Sequence, residues 1–148
     1  MKKILPPFLF IMFIIAMALL FWVTESRHPL AFPNNLFGLP LIGLGFLLAL
    51  SGKQLFKKRK ANVMTFDDPT LLITDGVFNY TRNPMYLGFV IAMTGFSLLM
   101  GASLSSFLLT TVFFIITDRW YISFEEEMMR VKFGKNYEEY CKRVRRWI

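Results

Sequence analysis

The sequence predicts an all-α integral membrane protein with about four transmembrane helices, and two observations support this fold class. The first is composition: of 148 residues, 55% are hydrophobic and 17% are aromatic. A soluble domain of this size has too little interior to bury that much apolar surface, so the excess must face lipid. The second is charge placement, because the net charge of +7 comes from basic residues that lie beside apolar runs. This arrangement favours a lipid bilayer over a nucleic acid as the partner.

A spanning helix needs about 20 apolar residues, and four stretches of the chain come close to this length. They lie near 4–23, 36–52, 85–100 and 104–122. Because residues 83–117 contain no charge and are too many for one crossing, we expect the last two helices to form a tight hairpin that turns at 101–103. Residues 53–84 form a cytoplasmic connector and 125–148 a cytoplasmic, amphipathic helical tail, all within a single membrane-embedded domain, 1–148.

The distribution of Lys and Arg predicts the orientation, because cytoplasmic loops are enriched in these residues. Four crossings bring both termini to the same side. If that side is cytoplasmic, all of the 17 Lys and Arg residues except Arg27 are cytoplasmic. The first apolar stretch is too long for a signal-peptide core and lacks a clear cleavage site before Glu25, so we expect a retained membrane anchor.

The chain contains one cysteine, Cys141, and one histidine, His28. This composition excludes an internal disulfide and a metal site built from cysteine or histidine clusters, so we expect no metal. His28 is typical of a solvated loop residue, because Pro29 follows it.

Polar residues that could carry chemistry collect in three places on the expected cytoplasmic side: 74–78, 81–88 and Glu125–Glu126. The hairpin should bring the second and third together, because its turn lies at the far end. Arg119 and Glu126 are seven residues apart and should share one helix face. Ionisable groups at membrane depth are functional candidates by default. The alternative is that Arg119 reaches the interface and the acidic residues start a solvated helix.

Apolar residues recur at helical spacing in the tail, at Tyr137, Tyr140, Val144 and Trp147. Its other face is basic and suits an anionic membrane surface. That face carries Lys142, Arg143, Arg145 and Arg146.

Three runs of sequence carry a family resemblance: LITDGVF at 72–78, TRNPMYLG at 81–88 and EEEMMRVKFGKNYEEY at 125–140. In this order, around a hydrophobic hairpin, they resemble the motifs of isoprenylcysteine carboxyl methyltransferases and their bacterial relatives. The resemblance covers 57–148. Position 83 is Asn where the enzymes that modify lipidated proteins carry His, and Met129 replaces a Leu.

The resemblance implies an integral-membrane methyltransferase that uses S-adenosylmethionine, in the inner or cytoplasmic membrane of a bacterium or archaeon. Carried over by position, the cofactor-binding residues are Val77, Phe78, Arg82, Asn83, Tyr86, Glu126, Tyr137 and Tyr140. Glu126 and Arg119 are the candidate catalytic residues, with Arg119 as the nearest match to a basic residue that precedes the family's Glu pair. The expected acceptor is a small amphipathic or lipid-like molecule with a carboxylate, thiol or amine. Methyl transfer from a sulfonium needs positioning rather than a metal or a protein nucleophile, which agrees with the composition.

Two other functions stay open. One is a membrane reductase of similar plan that uses NADPH, for which the basic cluster 57–60 would bind phosphate; positive-inside topology explains that cluster better. The other is a small membrane scaffold protein without enzymatic activity, which predicts no cofactor binding. Binding assays with S-adenosylmethionine and NADPH separate all three.

Overall fold

A computed structural model describes residues 4–23, 29–62 and 68–148, and all regular secondary structure in these ranges is helical. Arg27 and His28, on which two of the expectations above depend, lie outside the described residues. The α-helices are α1 (Pro6–Val23), α2 (Gly38–Lys58), α3 (Pro84–Leu99), α4 (Leu104–Ile116), α5 (Ser123–Phe133) and α6 (Lys135–Arg143). Single-turn 3₁₀ helices span Asn34–Phe37 and Gly76–Asn79, and a π-helix spans Thr117–Ile122.

Three of the described helical segments are long and apolar enough to cross a membrane: Pro6–Val23, Asn34–Lys58 and Leu104–Phe133. Large apolar side chains on their outer faces are exposed, including Phe8, Leu47 and Leu108. Such surface needs lipid as its solvent. The all-helical membrane fold is therefore confirmed, whereas the count of four crossings stays a prediction because α3 is shorter.

Helices α2 and α3 pack with their backbones in direct contact, because glycines face each other along the interface. Gly38 lies against Gly95, and Gly45 lies against Gly88, so rising numbers in α2 meet falling numbers in α3. The two helices are therefore antiparallel. At 1.5 Å per residue, the 16 residues of α3 extend about 24 Å, alongside 38–52 of α2.

Helices α1 and α4 complete the bundle around α3. The buried apolar core consists of Phe10, Met17, Ala92, Met93 and Phe113. Within it, the Ser97 hydroxyl lies 2.9 Å from the Thr110 hydroxyl and 3.2 Å from the Ser106 carbonyl oxygen. A hydroxyl with such partners is satisfied without water, as a bundle interior in lipid requires.

The hairpin turn lies at the predicted residues. Helix α3 ends at Leu99, Gly101 has φ +80°, and Ser103 begins α4 as its N-cap. The Ser103 hydroxyl accepts a hydrogen bond from the Ser106 amide at 3.3 Å, which satisfies one of the free donors of the first turn.

Helix α4 does not end at 122 as expected but continues through the π-helix into α5. A π-helix has wider hydrogen-bonded turns than an α-helix, so seven residues across it no longer make two full turns. The side chain of Arg119 is 83% exposed, whereas that of Glu126 is 4% exposed. The expectation that these two residues share one helix face is therefore wrong.

The end of the molecule that carries α6 has a second apolar core. Ile73, Phe78, Tyr137, Tyr140 and Val144 are buried there. The apolar face of α6 therefore packs on protein. Its basic residues Lys142 and Arg143 are exposed.

Candidate active site

The polar segment 81–83 forms one wall of the candidate site, directly before α3. Pro84 opens the helix at a position where its missing amide donor costs nothing. The Thr81 hydroxyl accepts a hydrogen bond from the Asn83 amide at 3.1 Å. This contact fixes the backbone just ahead of the helix, so the side chains of Arg82 and Asn83 have defined directions.

The last residues of the chain lie along this segment, and we name 144–147 the C-terminal strap. The Arg82 amide donates to the Arg145 carbonyl oxygen at 3.1 Å. The Asn83 side-chain amide donates to the Arg146 carbonyl oxygen at 3.0 Å. The Arg82 guanidinium also donates to the carbonyl oxygen of Val144 at 3.3 Å. The strap is therefore attached to the site by polar contacts along its length.

The carboxylate of Glu126 is the electrostatic centre of the site. Arg82 donates to its Oε1 at 2.6 Å, and Arg146 donates to its Oε2 at 2.5 Å. A third guanidinium, that of Arg130, is 3.9 Å away. A charge buried to this degree is tolerated only when it is paired and hydrogen-bonded, and these arginines meet that condition.

Asp118, at the start of the π-helix, is a second acidic anchor for the strap. Its Oδ1 accepts from Arg146 at 3.2 Å and from the Trp147 indole at 2.9 Å. The Trp147 ring packs on Phe114, with the ring centroids 4.9 Å apart. Arg146 thus bridges Asp118 and Glu126, and its hydrogen bond to Glu126 raises the pKa of its guanidinium.

Aromatic hydroxyl groups complete the walls. Tyr86 donates to Glu125 at 2.6 Å, and Tyr140 donates to the Phe78 carbonyl oxygen at 2.7 Å. Burial raises the pKa of both Tyr137 and Tyr140. These phenols therefore stay protonated at physiological pH and act as neutral hydrogen-bonding groups.

These walls enclose a cavity of about 70 Å³. It is lined by Phe56, Ile73, Phe78, Arg82, Asn83, Pro84, Met85, Tyr86, Glu125, Glu126, Met129, Tyr137 and Tyr140. Seven of the eight residues expected to bind the cofactor are in this set. The eighth, Val77, packs beside the cavity in the second core.

Arg119 is not brought to the cavity. Its guanidinium pairs with Asp118 at 3.6 Å on the exposed side of the π-helix. The residue that contacts Glu126 from the chain end is Arg146, which sequence reasoning assigned to a membrane-facing surface. No sequence signal separates Arg146 from the neighbouring Arg143 and Arg145, because the whole end of the chain is basic.

Comparison with known proteins gives a family match. A profile of the family described as phospholipid methyltransferase matches residues 34–136, which is more than half of the chain. No solved structure gives a significant match.

Curated relatives agree with the profile. The chain is 38% identical over 74 residues to a protein-S-isoprenylcysteine O-methyltransferase of Schizosaccharomyces pombe, covering 50% of this chain and 31% of the relative. It is 35% identical over 82 residues to a probable protein-S-isoprenylcysteine O-methyltransferase of Oryza sativa subsp. indica, covering 53% of this chain and 41% of the relative. A third relative, protein-S-isoprenylcysteine O-methyltransferase B of Arabidopsis thaliana, is 29% identical over 119 residues, covering 73% and 55%. The chain thus spans between 31% and 55% of the length of these relatives.

Proposed function

We propose that this chain, which belongs to the phospholipid methyltransferase family, is an integral-membrane methyltransferase that uses S-adenosylmethionine. The observation that carries the proposal is the buried pair Arg82–Glu126 in a cavity with aromatic walls, at the polar end of an apolar bundle. The names of the curated relatives support methyl transfer. The acceptor would be a small amphipathic or lipid-like molecule with a carboxylate, thiol or amine.

The residues of the cavity fit the proposed cofactor. Among the described residues, the Arg82 Nε is buried without a hydrogen-bond partner, so a buried donor is available for the carboxylate of a ligand. The Glu126 carboxylate suits an amino group or a ribose hydroxyl. Phe78 and Tyr86 offer aromatic faces, over which a cation gains roughly 0.5–2 kcal/mol.

S-adenosylmethionine, when bound, supplies a methyl group that is already electrophilic because it is attached to a sulfonium. The chain then has to bind, orient and exclude water, and such positioning can supply much of the rate. Arg82 and Glu126 would hold the polar ends of the cofactor. Tyr137 and Tyr140 would form neutral, hydrogen-bonding walls of the site, because both are buried and line the cavity.

The proposed topology has four crossings with both termini cytoplasmic. It is supported by the antiparallel contact of α3 along the apolar part of α2, which would give α3 the same depth in the bilayer. The acceptor would reach the site from the bilayer. Arg119 is not assigned a role inside the cavity, since its side chain is 83% exposed; a role in catalysis would require an acceptor that approaches along the π-helix.

Calorimetric titration of the detergent-solubilised protein with S-adenosylmethionine tests the cofactor site. Glu126→Gln and Arg82→Ala should each weaken binding about tenfold or more, because each removes a charged hydrogen-bonding partner. Two exposed residues give matched controls, Glu127→Gln and Arg59→Ala, with side chains 68% and 52% exposed. Unchanged affinity in both site variants would reject this site.

A parallel titration with NADPH separates the reductase alternative, and binding of neither molecule favours a scaffold protein. The acceptor is found by incubating membranes that contain the protein with methyl-labelled S-adenosylmethionine. We expect label in the organic-solvent extract of membranes with the wild-type protein and less label in the extract of membranes with Glu126→Gln. Equal labelling of the two extracts would contradict methyl transfer to a lipid-like acceptor.

A further inference from the structure

We infer that the C-terminal strap is a latch, in which Arg146 competes with the cofactor for Glu126 and Asp118 holds Arg146 when it is displaced. This inference rests on the proposed function, because it concerns binding of S-adenosylmethionine at the same site. It adds a positioning residue, Asp118, that the family resemblance does not contain.

Both carboxylate oxygens of Glu126 already accept hydrogen bonds from protein groups. Oε1 accepts from Arg82 at 2.6 Å and from Arg146 Nε at 3.3 Å, and Oε2 accepts from Arg146 Nη2 at 2.5 Å. Arg146 is therefore a two-point partner of this carboxylate. A ligand amino group that pairs with Glu126 has to replace at least one of these contacts.

The cavity is small compared with the proposed cofactor. The cavity of about 70 Å³ is far below the roughly 300–1,000 Å³ of typical small-molecule pockets. A site of this size has to widen before a nucleoside fits, so the latch includes a second, wider arrangement.

The C-terminal strap is the element that opens. Each polar residue of the cavity wall formed by Arg82, Asn83 and Glu126 is hydrogen-bonded to the strap. The strap follows the end of α6, and Arg145 and Ile148 are exposed. Val144 is buried and Trp147 packs on Phe114, but the contacts of the strap to this wall are polar, and such contacts open at a lower free-energy cost than packed helices do.

Arg146 keeps an acidic partner after it is displaced from Glu126. Its Nη1 already donates to Asp118 at 3.2 Å, and its side chain is 31% exposed. Asp118 can therefore keep the guanidinium paired once Glu126 is taken by the ligand. No buried charge is left without a partner, because Arg82 still accompanies Glu126.

The test is calorimetric titration of wild-type protein and variants, in detergent micelles, with S-adenosylmethionine. Arg146→Ala should bind about three- to tenfold more tightly, because it removes the internal competitor. Arg143→Ala removes the same charge from an exposed position in α6, outside the strap, and should leave the Kd unchanged. Arg146→Lys should fall between wild type and Arg146→Ala, since Lys keeps the charge but not the two-point geometry.

Asp118→Asn provides a readout of opposite sign. It should weaken binding about threefold, because displaced Arg146 then lacks an acidic partner, while an Asn oxygen can still accept from the Trp147 indole. In an Arg146→Ala background the same change should have no effect, since there is no guanidinium left to hold. A purely structural role of Asp118 would weaken binding in both backgrounds.

The outcomes separate the two proposals. If wild-type protein does not bind S-adenosylmethionine, the proposed function fails, and the latch with it. If wild type binds, but Arg146→Ala binds equally or more weakly, the latch alone is overturned. Persistence of the Asp118→Asn effect in the double variant also overturns it. Hydrogen exchange of the Arg82 amide, which donates to the strap, reports opening directly and should accelerate in Arg146→Ala without ligand.

Discussion

Two contacts hold this small membrane protein together by different interactions: that between α2 and α3, and that between the strap and the site. At the first, glycines bring two backbones together, and a Cβ added at Gly45 would lie 2.6 Å from the Ala92 nitrogen. At the second, Glu126, Asp118 and Arg146 are joined by hydrogen bonds between charged groups. The first depends on shape and the second on charge.

The two contacts differ in how many arrangements they allow. A packed glycine interface has one arrangement, because there is no side chain to repack and close van der Waals contact is lost at once on separation. Arg146 contacts both Asp118 and Glu126, so it can lose one carboxylate and keep the other. In the proposed latch, the bundle would hold α3 and α4 at fixed positions while the strap opens and closes.

The largest effect on stability is expected from removing the centre of the charged contact. Glu126→Ala leaves the Arg82 guanidinium, whose side chain is 11% exposed, without its acid and leaves Arg146 with Asp118 alone, which costs about 3–5 kcal/mol of unfolding free energy. Glu127→Ala, one residue away with a side chain 68% exposed, should change little. Thermal or denaturant unfolding in detergent measures both. Equal stabilities would mean that the contact is solvated and contributes nothing.

The next effect tests the shape-dependent contact. Gly45→Ala should cost about 1–3 kcal/mol of stability, because the new methyl group overlaps the α3 backbone and the helices must separate. Gly43 lies in the same helix with nothing within 4 Å of its added Cβ. Gly43→Ala should therefore be neutral or stabilise by up to about 1 kcal/mol, because alanine favours the helix. The comparison fails if both variants behave alike.

A smaller effect is expected from the buried hydroxyl in the bundle. Ser97→Ala removes contacts to the Ser106 carbonyl oxygen and the Thr110 hydroxyl. Interhelical hydrogen bonds within membranes contribute about 0.6 kcal/mol on average, so a loss of that order is expected in unfolding experiments. Thr111→Ala is the control, since the exposed Thr111 hydroxyl donates only within its own helix, to Phe107. If Thr111→Ala loses as much stability as Ser97→Ala does, the interhelical hydrogen bonds of Ser97 contribute no more than an intrahelical one.

The smallest effect concerns an exposed ion pair away from the strap. The hydrogen bond from Arg59 holds the pKa of Asp75 below its ordinary value of 3.8. A lowered pKa in the folded state means stability that is present above the unfolded pKa and lost as the pH falls through the folded pKa. Asp75→Asn should thus melt at a slightly lower temperature than wild type at pH 7, and this difference should shrink as the pH falls below 3.8. A difference that grows on acidification would contradict this sign.

Much of the fold could be predicted from the sequence, because lipid-facing helices must be apolar over a defined length. The predicted arm 85–100 lies one residue from the observed Pro84–Leu99, and the turn at 101–103 is observed at those residues. The end of α2 was predicted at 52 but lies at Lys58. Hydropathy marks where the apolar layer ends, whereas a helix continues through basic residues that favour it.

Within the site, most of the proposed cofactor-binding residues could be found from motifs, and the structure brings them around one cavity. Their roles stay predictions. Arg119 illustrates what a spacing rule misses: the rule assumes α-helical turns, and a π-helix lies between Arg119 and Glu126. Arg146 illustrates a different limit, because it is one of several similar basic residues and only its position on the folded chain distinguishes it.

Composition and the length of the apolar runs identify a helical membrane protein, because a bilayer requires apolar helices of a defined length. The segments 81–88 and 125–140 carry the methyltransferase family resemblance. Folding, in contrast, brings residues 144–147 back to the start of α3 and pairs Arg146 rather than Arg119 with Glu126. The membrane helices could be found from the sequence because hydropathy is a local property of each segment. The pairing of charges depends on distances between residues that are far apart in the chain, and these distances exist only after folding.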